Sequence, residues 1–419
     1  MNKNFLIILI SIVFLLYTGA SGQSIKKSVQ TALDNNESLK SQKMLLDNSY
    51  QNLLLQNGKS LPSLSLNSTG SRSSNFDANQ ETDSYSVSIN SSYVLFDFGS
   101  LNAKKKSAQR FNDASKFSFK KVKNDLIMDV VKVHLELFKA IKIVELYENS
   151  LEIRKQQFLA AKNRFDLGEA TRSDLLRSKA SISGAEAQLK VGEANVKKFR
   201  EGYKTLVGKS PGTPTLPKII MEEPSSLEDS IKVALENDLG LKVLMLEEKA
   251  LKEELSAIEK SRLPNLSLSG ALSYGDSPTL GSNHSSGRIS LTSSVTLYSG
   301  GQKKAQVKIA SNNLAAKAID IAVRKKFLER DVTTKWLDLM SLRSSAAAKK
   351  EEANALKELY ESVFEEWKLG AKTSLDTDQA YQNFLNSEVE VVTTTTDILI
   401  AKFDLLAELG TLRTELQLR

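Results

Sequence analysis

The sequence predicts a mainly α-helical protein with a small transmembrane β part, one architecture written twice along the chain. Three observations predict it. Landmarks recur at a constant offset of 202 residues: Leu61-Pro-Ser-Leu-Ser-Leu66 returns as Leu263-Pro-Asn-Leu-Ser-Leu268, Ala32-Leu33 as Ala234-Leu235, and Gly208 as Gly410. Two stretches, Ser100 to Leu167 and Gln302 to Leu369, contain neither glycine nor proline, and each run would extend roughly 100 Å as a helix. Two serine-rich windows alternate apolar and small polar residues with period two, the pattern of a membrane strand.

Residues 1–22 read as a signal peptide. Lys3 is its basic start, Phe5 to Tyr17 its apolar run, and Ala20-Ser21-Gly22 a small-residue cleavage site. The apolar run is shorter than the ~20 residues a membrane helix needs. An exported chain whose spanning parts are strands is the expectation.

The first repeat is placed at 23–210. It opens with a helix from Ile25 to Lys59, stopped by the Leu61-Pro62 step. A strand around Leu64 to Ser71 follows, then a polar loop from Ser73 to Asp83 and a second strand. In that strand Tyr85, Val87, Ile89, Tyr93 and Leu95 form one face and Ser84, Ser86, Ser88, Asn90 and Ser92 the other. The long helix comes next, then a turn at Gly168 and a returning helix. On the latter, Ile182, Ala185, Leu189, Gly192, Val196, Phe199, Tyr203 and Leu206 step by three and four, the seam of a supercoiled pair. Small seam residues allow close helix approach.

A proline-rich linker, 211–225, joins the copies; four of the seven prolines lie between Pro211 and Pro224. The second repeat, 226–419, has a helix from Ser226 to Arg262, a loop from Gly275 to Gly287, and a strand with Ile289, Leu291, Val295 and Leu297 on one face. Phe384, Ser387, Val391, Ile398, Ala401 and Leu405 occupy the matching seam. A soluble half-wet sheet would carry charges on its polar face. These strands show only Arg288, at an expected strand start.

Composition narrows the function classes. With no cysteine and two histidines, thiolate and histidine metal sites are not expected, and neither is a cofactor. No phosphate loop, nucleophile elbow or ligand cluster marks an enzyme. The net charge of +7 comes from lysines interleaved with glutamates on helical stretches, which reads as solvated helix surface with no nucleic-acid partner. Lys104-Lys105-Lys106 is the one dense cluster, a solvated face or a membrane-facing one.

Four strands cannot close a barrel, and open strand edges cannot face lipid. The long helices also need lateral neighbours to bury their seams. A homo-oligomer follows, of a size these arguments do not count.

The order is helix, Leu-Pro-x-Leu-Ser-Leu, a hairpin ending Leu95-Phe-Asp-Phe-Gly99, long helix, Phe165-Asp-Leu-Gly168 turn and returning helix. Repeated, this order resembles the TolC-like outer-membrane efflux proteins over about residues 25–412. The resemblance implies a homotrimer with a 12-stranded β-barrel in outer-membrane lipid and an α-barrel in the periplasm of a Gram-negative-type cell. It also implies partnership with a periplasmic adaptor and an inner-membrane transporter, for efflux or type I secretion. The transporter would select the cargo; with six methionines, no methionine-rich stretch suggests copper or silver.

It further implies that the two helical turns form the periplasmic tip. Leu167, Gly168, Thr171, Leu369, Gly370 and Thr373 would meet the adaptor. Ser173 and Asp174 would bond Lys372, assisted by Trp367, to hold the tip closed, and Asp376 would sit in an acidic ring at the constriction. The family's arginine and tyrosine are replaced by Lys372 and Trp367, which removes bidentate geometry and a hydroxyl. The ring's second acid falls on Gln379, with Asp378 one residue away. Thr171-x-x-Asp174 and Thr373-x-x-Asp376 are also capping boxes, a role compatible with gating. Two other readings are a trimeric adhesin-type or structural outer-membrane protein, whose strands would cluster at the C-terminus, and a periplasmic coiled-coil adaptor, which leaves the serine-lined strands unexplained.

Overall fold

The computed structural model describes residues 24–75, 80–217, 224–277 and 281–412. The expected signal peptide and positions 218–223 of the expected linker lie outside the described residues. The elements run α1 (Ile25–Asn35), α2 (Glu37–Gly58), β1 (Ser63–Asn75), β2 (Gln80–Phe96), α3 (Ser100–Asp166), α4 (Arg172–Val207), α5 (Leu227–Asn237), α6 (Leu239–Lys260), β3 (Asn265–Ser277), β4 (Gly281–Ser294), α7 (Gln302–Lys368) and α8 (Ser374–Glu408). Two compact units cut across the repeats. One takes the chain up to Lys40, Lys121–Asp238 and the chain from Phe327; the other takes Ser41–Lys120 and Leu239–Lys326.

The long helices form as expected, 67 residues each. The single opening helix of each copy does not. Asn36 in extended backbone and Asp238 at φ −55°, ψ 121° leave the helical region and split that helix in two. Asn36 explains its break: its Oδ1 accepts from Leu39 N at 3.0 Å, and its Nδ2 donates to Leu206 O at 3.0 Å. The side chain thus starts α2 while holding the end of α4, the capping habit that makes Asn and Asp poor in helix interiors.

Within the first unit, Leu137 and Ala140 of α3 pack on Val196 of α4, with Ile141, Val144 and Phe199 around them. Leu137, fully buried, contributes about 1.5–3 kcal/mol. A Cβ at Gly192 would lie 3.0 Å from Val144 Cγ2 and 3.1 Å from Tyr147, so the seam closes only because that position is bare. His134 is buried in the same unit. Its Nδ1 lies 3.1 Å from Ser28 Oγ and its Nε2 3.1 Å from Thr215 O, while Tyr203 donates to Ser28 Oγ at 2.9 Å. The carbonyl only accepts, so Nε2 carries the proton. Burial pushes the His134 pKa down.

The second unit holds the sheet, antiparallel in the order β1-β2-β3-β4. Leu66 pairs with Ile89, Ile89 with Leu272, and Leu268 with Leu291, so one face is continuous apolar surface. Leu64, Leu66, Ile289 and Leu291 are all exposed on it. The other face aligns Ser63, Ser92, Ser269 and Ser290 across all four strands. Three expectations need correction. The strands run through most of the expected loops, β1 reaching Asn75 and β2 beginning at Gln80. They continue because cross-strand pairs such as Ser71–Ser84 (2.8 Å) and Arg72–Asp83 (2.8 Å) sustain the ladder without an apolar face. β4 begins at Gly281, so Arg288 lies inside the strand on the serine face, opposite Ala271. It ends at Ser294, before Val295 and Leu297.

Candidate functional site at the paired helical turns

The α3–α4 and α7–α8 turns both belong to the first unit, and each is closed by its own backbone. After α3, Gly168 at φ 80° lets its N–H reach Phe165 O (3.0 Å) and Glu169 N–H reach Arg164 O (2.8 Å). After α7, Gly370 at φ 80° does the same, with Gly370 N to Trp367 O at 3.0 Å and Ala371 N to Glu366 O at 2.9 Å. This left-handed glycine closure satisfies carbonyls a helix end would leave bare.

The next helices start on full capping boxes. Asp174 N–H donates to Thr171 Oγ1 at 3.2 Å, and Thr171 N–H donates to Asp174 Oδ2 at 3.2 Å. Asp376 N–H donates to Thr373 Oγ1 at 3.2 Å, and Thr373 N–H to Asp376 Oδ2 at 2.9 Å. Hydrogen bonds from the Thr171 and then the Ser374 side chain hold the Asp174 carboxyl below its ordinary range. Thr373 backbone and side-chain bonds, and more weakly the Lys372 charge, do so for Asp376. The capping role of both acids is therefore met within the protomer.

Three contacts join the turns. Ser374 Oγ donates to Asp174 Oδ1 at 2.8 Å. Arg164 donates to Trp367 O at 2.7 Å, with its guanidinium 5.4 Å from the Trp367 ring centre. Deeper, Arg154 pairs with Asp378 and donates to Gln382 Oε1 at 2.8 Å, while Ser181 Oγ donates to Asp378 Oδ1 at 3.0 Å. The space lined by Arg154, Arg177, Trp367 and Thr377 measures about 20 Å³, room for one water.

The expected site residues separate into groups. Asp174 and Trp367 are engaged as described, Trp367 being only 7% exposed and stacked on Phe364 at 5.6 Å. Ser173 is exposed, and the hydroxyl that reaches Asp174 is that of Ser374. Lys372 is exposed and, among the described residues, forms no ion pair with Asp174 inside the protomer. Asp376 and Gln379 are exposed, whereas Asp378 is committed to Arg154 and so is not available to an acidic ring. Leu167 (74% exposed) and Leu369 (85%) stand out from the turns, and Gly168, Thr171, Gly370 and Thr373 are exposed beside them.

Sequence reasoning missed the Arg154–Asp378 pair and an aromatic stack. Tyr360 lies 5.0 Å from Tyr381 and parallel to Phe384 at 6.1 Å. The signal was available in Tyr360, Phe364 and Trp367 at steps of four and three on one helix, with Tyr381 and Phe384 three apart on the next.

The sequence matches the outer membrane efflux protein family at residues 28–208 and again at 230–411. The chain belongs to the outer membrane efflux protein family. It is similar to the outer membrane efflux protein BepC of Brucella suis biovar 1 (strain 1330), 25% identical over 327 residues covering 77% of this chain and 72% of BepC. It is also similar to the outer membrane protein TolC of Vibrio cholerae serotype O1, 20% identical over 403 residues covering 93% of this chain and 91% of TolC. Its fold matches the Campylobacter jejuni CmeC outer membrane channel with a TM-score of 0.82 at 16% identity, covering 93% of this chain and 86% of CmeC. As an outer membrane efflux protein, the chain is an outer-membrane protein of the TolC type, with four strands for a β-barrel and long helices for an α-barrel.

Proposed function

We propose that the protein is the exit duct of a tripartite efflux or type I secretion system, passing solutes to the exterior without chemistry. Its carrying observation is the sheet, with one face of exposed Leu, Ile, Val and Tyr and the other of Ser, Asn and Thr. That is a lipid-facing and a water-facing surface on the same four strands. β1 and β4 have no strand on their outer sides among the described residues, and unpaired edges cannot rest in lipid. Three copies closing edge to edge give twelve strands, the arrangement the family resemblance implies. In this reading a periplasmic adaptor grips the exposed tips around Leu167 and Leu369, and an inner-membrane transporter delivers the solute. Asp174 and Lys372 of neighbouring protomers hold the tip shut, with Ser173 and Trp367 beside them and Asp376 at the constriction.

The test is planar-bilayer conductance of the purified full chain beside Asp174→Ala/Lys372→Ala. Discrete steps, larger in the variant, are expected. Equal steps remove the gate and keep the duct; silence from folded, inserted protein removes the duct.

A further inference from the structure

The four strand–helix junctions share one end of the sheet. Ser63 pairs with Ser92, Phe96 with Leu266, and Asn265 with Ser294, which brings the starts of β1 and β3 level with the ends of β2 and β4. The segments beyond these ends, 57–62, 97–110, 259–264 and 298–308, contain ten lysines and arginines against two acids, Asp97 and Glu259. Asp97 is spent on structure, accepting from Gly99 N at 3.0 Å and Leu101 N at 2.5 Å. The opposite end of the strands has no such excess. There Arg72 is held by Asp83 and Glu81, and Asp276 adds another acid.

Local electrostatics do not explain the lysines. Lys104, Lys105 and Lys106 occupy the start of α3, and Lys303 and Lys304 the start of α7, where no acid stands in the first turn of either helix. Lys303 and Lys304, in the first turn of α7, oppose the helix dipole, which favours negative charge at an N-terminus. Further along the same unit the lysines are paired, Lys116 with Asp113 at 3.0 Å and Lys317 with Glu247 at 3.2 Å. Among the described residues Lys59, Lys104, Lys105, Lys106, Lys303 and Lys304 have no ion-pair partner. A cluster of lysines that forms no ion pair within the protein points to a counter-charge outside it.

The neighbouring residues indicate what carries it. Phe96, Phe98, Leu297 and Tyr298 are exposed at the same end, and Phe96 and Phe98 lie 4.7 Å apart. Aromatic side chains at the ends of barrel strands mark the membrane–water boundary. Lys104 follows four residues into α3, about 6 Å along the helix, and a lysine stem spans the remaining distance to a headgroup. Lys59 and Lys104 also line one open cavity of about 500 Å³ with Asn52, Gln56, Glu254, Phe111 and Ile258, a recess of headgroup size whose walls mix polar and apolar side chains.

We propose that these junction lysines form a docking surface for anionic phospholipid headgroups in the periplasmic leaflet, their phosphodiesters supplying the missing charge. The proposal rests on the membrane-spanning reading of the sheet.

The full chain is reconstituted in phosphatidylcholine bilayers holding a trace of spin-labelled phosphatidylglycerol or spin-labelled phosphatidylcholine, and the immobilised fraction of each label is read by EPR. Wild type is expected to prefer the anionic label about fivefold, the scale of one basic residue acting at a membrane surface. That preference should vanish in about 1 M salt, where the screening length is about 3 Å, and in K104Q/K105Q/K106Q/K303Q/K304Q. It should survive in the corresponding five-lysine-to-arginine variant. Equal immobilisation of both labels by wild type overturns the docking surface while leaving the membrane span intact, as does a preference unchanged in the glutamine variant. No immobilised component with either label overturns the membrane span, and the docking surface with it.

Discussion

Removing either partner of the Arg154–Asp378 pair should have sharply unequal effects. The arginine side chain is 5% exposed and the aspartate 32%. Asp378→Ala leaves a buried guanidinium with only Gln382 and the Tyr381 ring, whose centre is 5.2 Å away. Its Nε has no hydrogen-bond partner even with the pair intact. Stranding a buried charge costs about 3–5 kcal/mol. Arg154→Met instead leaves a carboxylate that keeps its bond from Ser181 and reaches water, so about 1–2 kcal/mol is expected. Hydrogen exchange read by mass spectrometry over α8 residues 374–390 measures the difference locally. The larger loss corresponds to about 150-fold or more in exchange rate and the smaller to about 5- to 30-fold. The double variant should return to the Arg154→Met level, because the stranded charge is gone. Arg154→Met exchanging as fast as Asp378→Ala, or a double variant no slower than Asp378→Ala, would rule out a stranded charge as the source of the larger loss.

Three further outcomes follow from the same structure. Gly410→Ala should destabilise more than Gly168→Ala: both glycines have positive φ, worth about 1–2 kcal/mol, but a Cβ at Gly410 would also meet Asn237 O at 3.0 Å while Gly168 faces open space; melting temperatures compare them. His134 titrates lower folded than unfolded, so its contribution is complete above about pH 6.5 and declines as pH falls below that value, where the unfolded chain takes up the proton first. Thermal melts of wild type should therefore drop more steeply on acidification than those of His134→Gln. Arg288 stands among Ser65, Asn90 and Ser290 on the sheet's polar face, so Arg288→Gln should move the bilayer reversal potential toward greater cation preference at low salt, and an unchanged potential would place that face away from the ion path.

Much of this architecture was legible because the deciding signals are local. Gly168 and Gly370 followed by Thr-x-x-Asp specify a helix stop and restart within eight residues, and both form as written. The Leu-Pro steps and the Ser/apolar alternation likewise act through neighbours along the chain. What was not legible depends on partners distant in sequence. The strands cross the polar stretch at Ser73 because Ser74 finds Glu81 and Ser71 finds Ser84 across the ladder. Asp174 meets Ser374, 200 residues away, and Arg154 meets Asp378, 224 away. Helical periodicity assigns a face to each of these residues but does not say which face opposes it. The break at Asn36 was a local signal overlooked, since its Oδ1 caps α2 by accepting from Leu39 N three residues on; only its bond to Leu206 O is distant.

The glycine closures and capping boxes have one more consequence. Each turn meets its backbone requirements from within its own few residues, so Leu167 and Leu369 carry no folding duty. The turns behave as cassettes: residues 167–171 and 369–373 can be exchanged, or replaced by another Gly-x-x-Thr segment, without rewriting the helices that carry them. The exposed surface around Leu167 and Leu369 can therefore drift, or be engineered, without cost to the helices, Lys372 alone being tied to the gate proposed above.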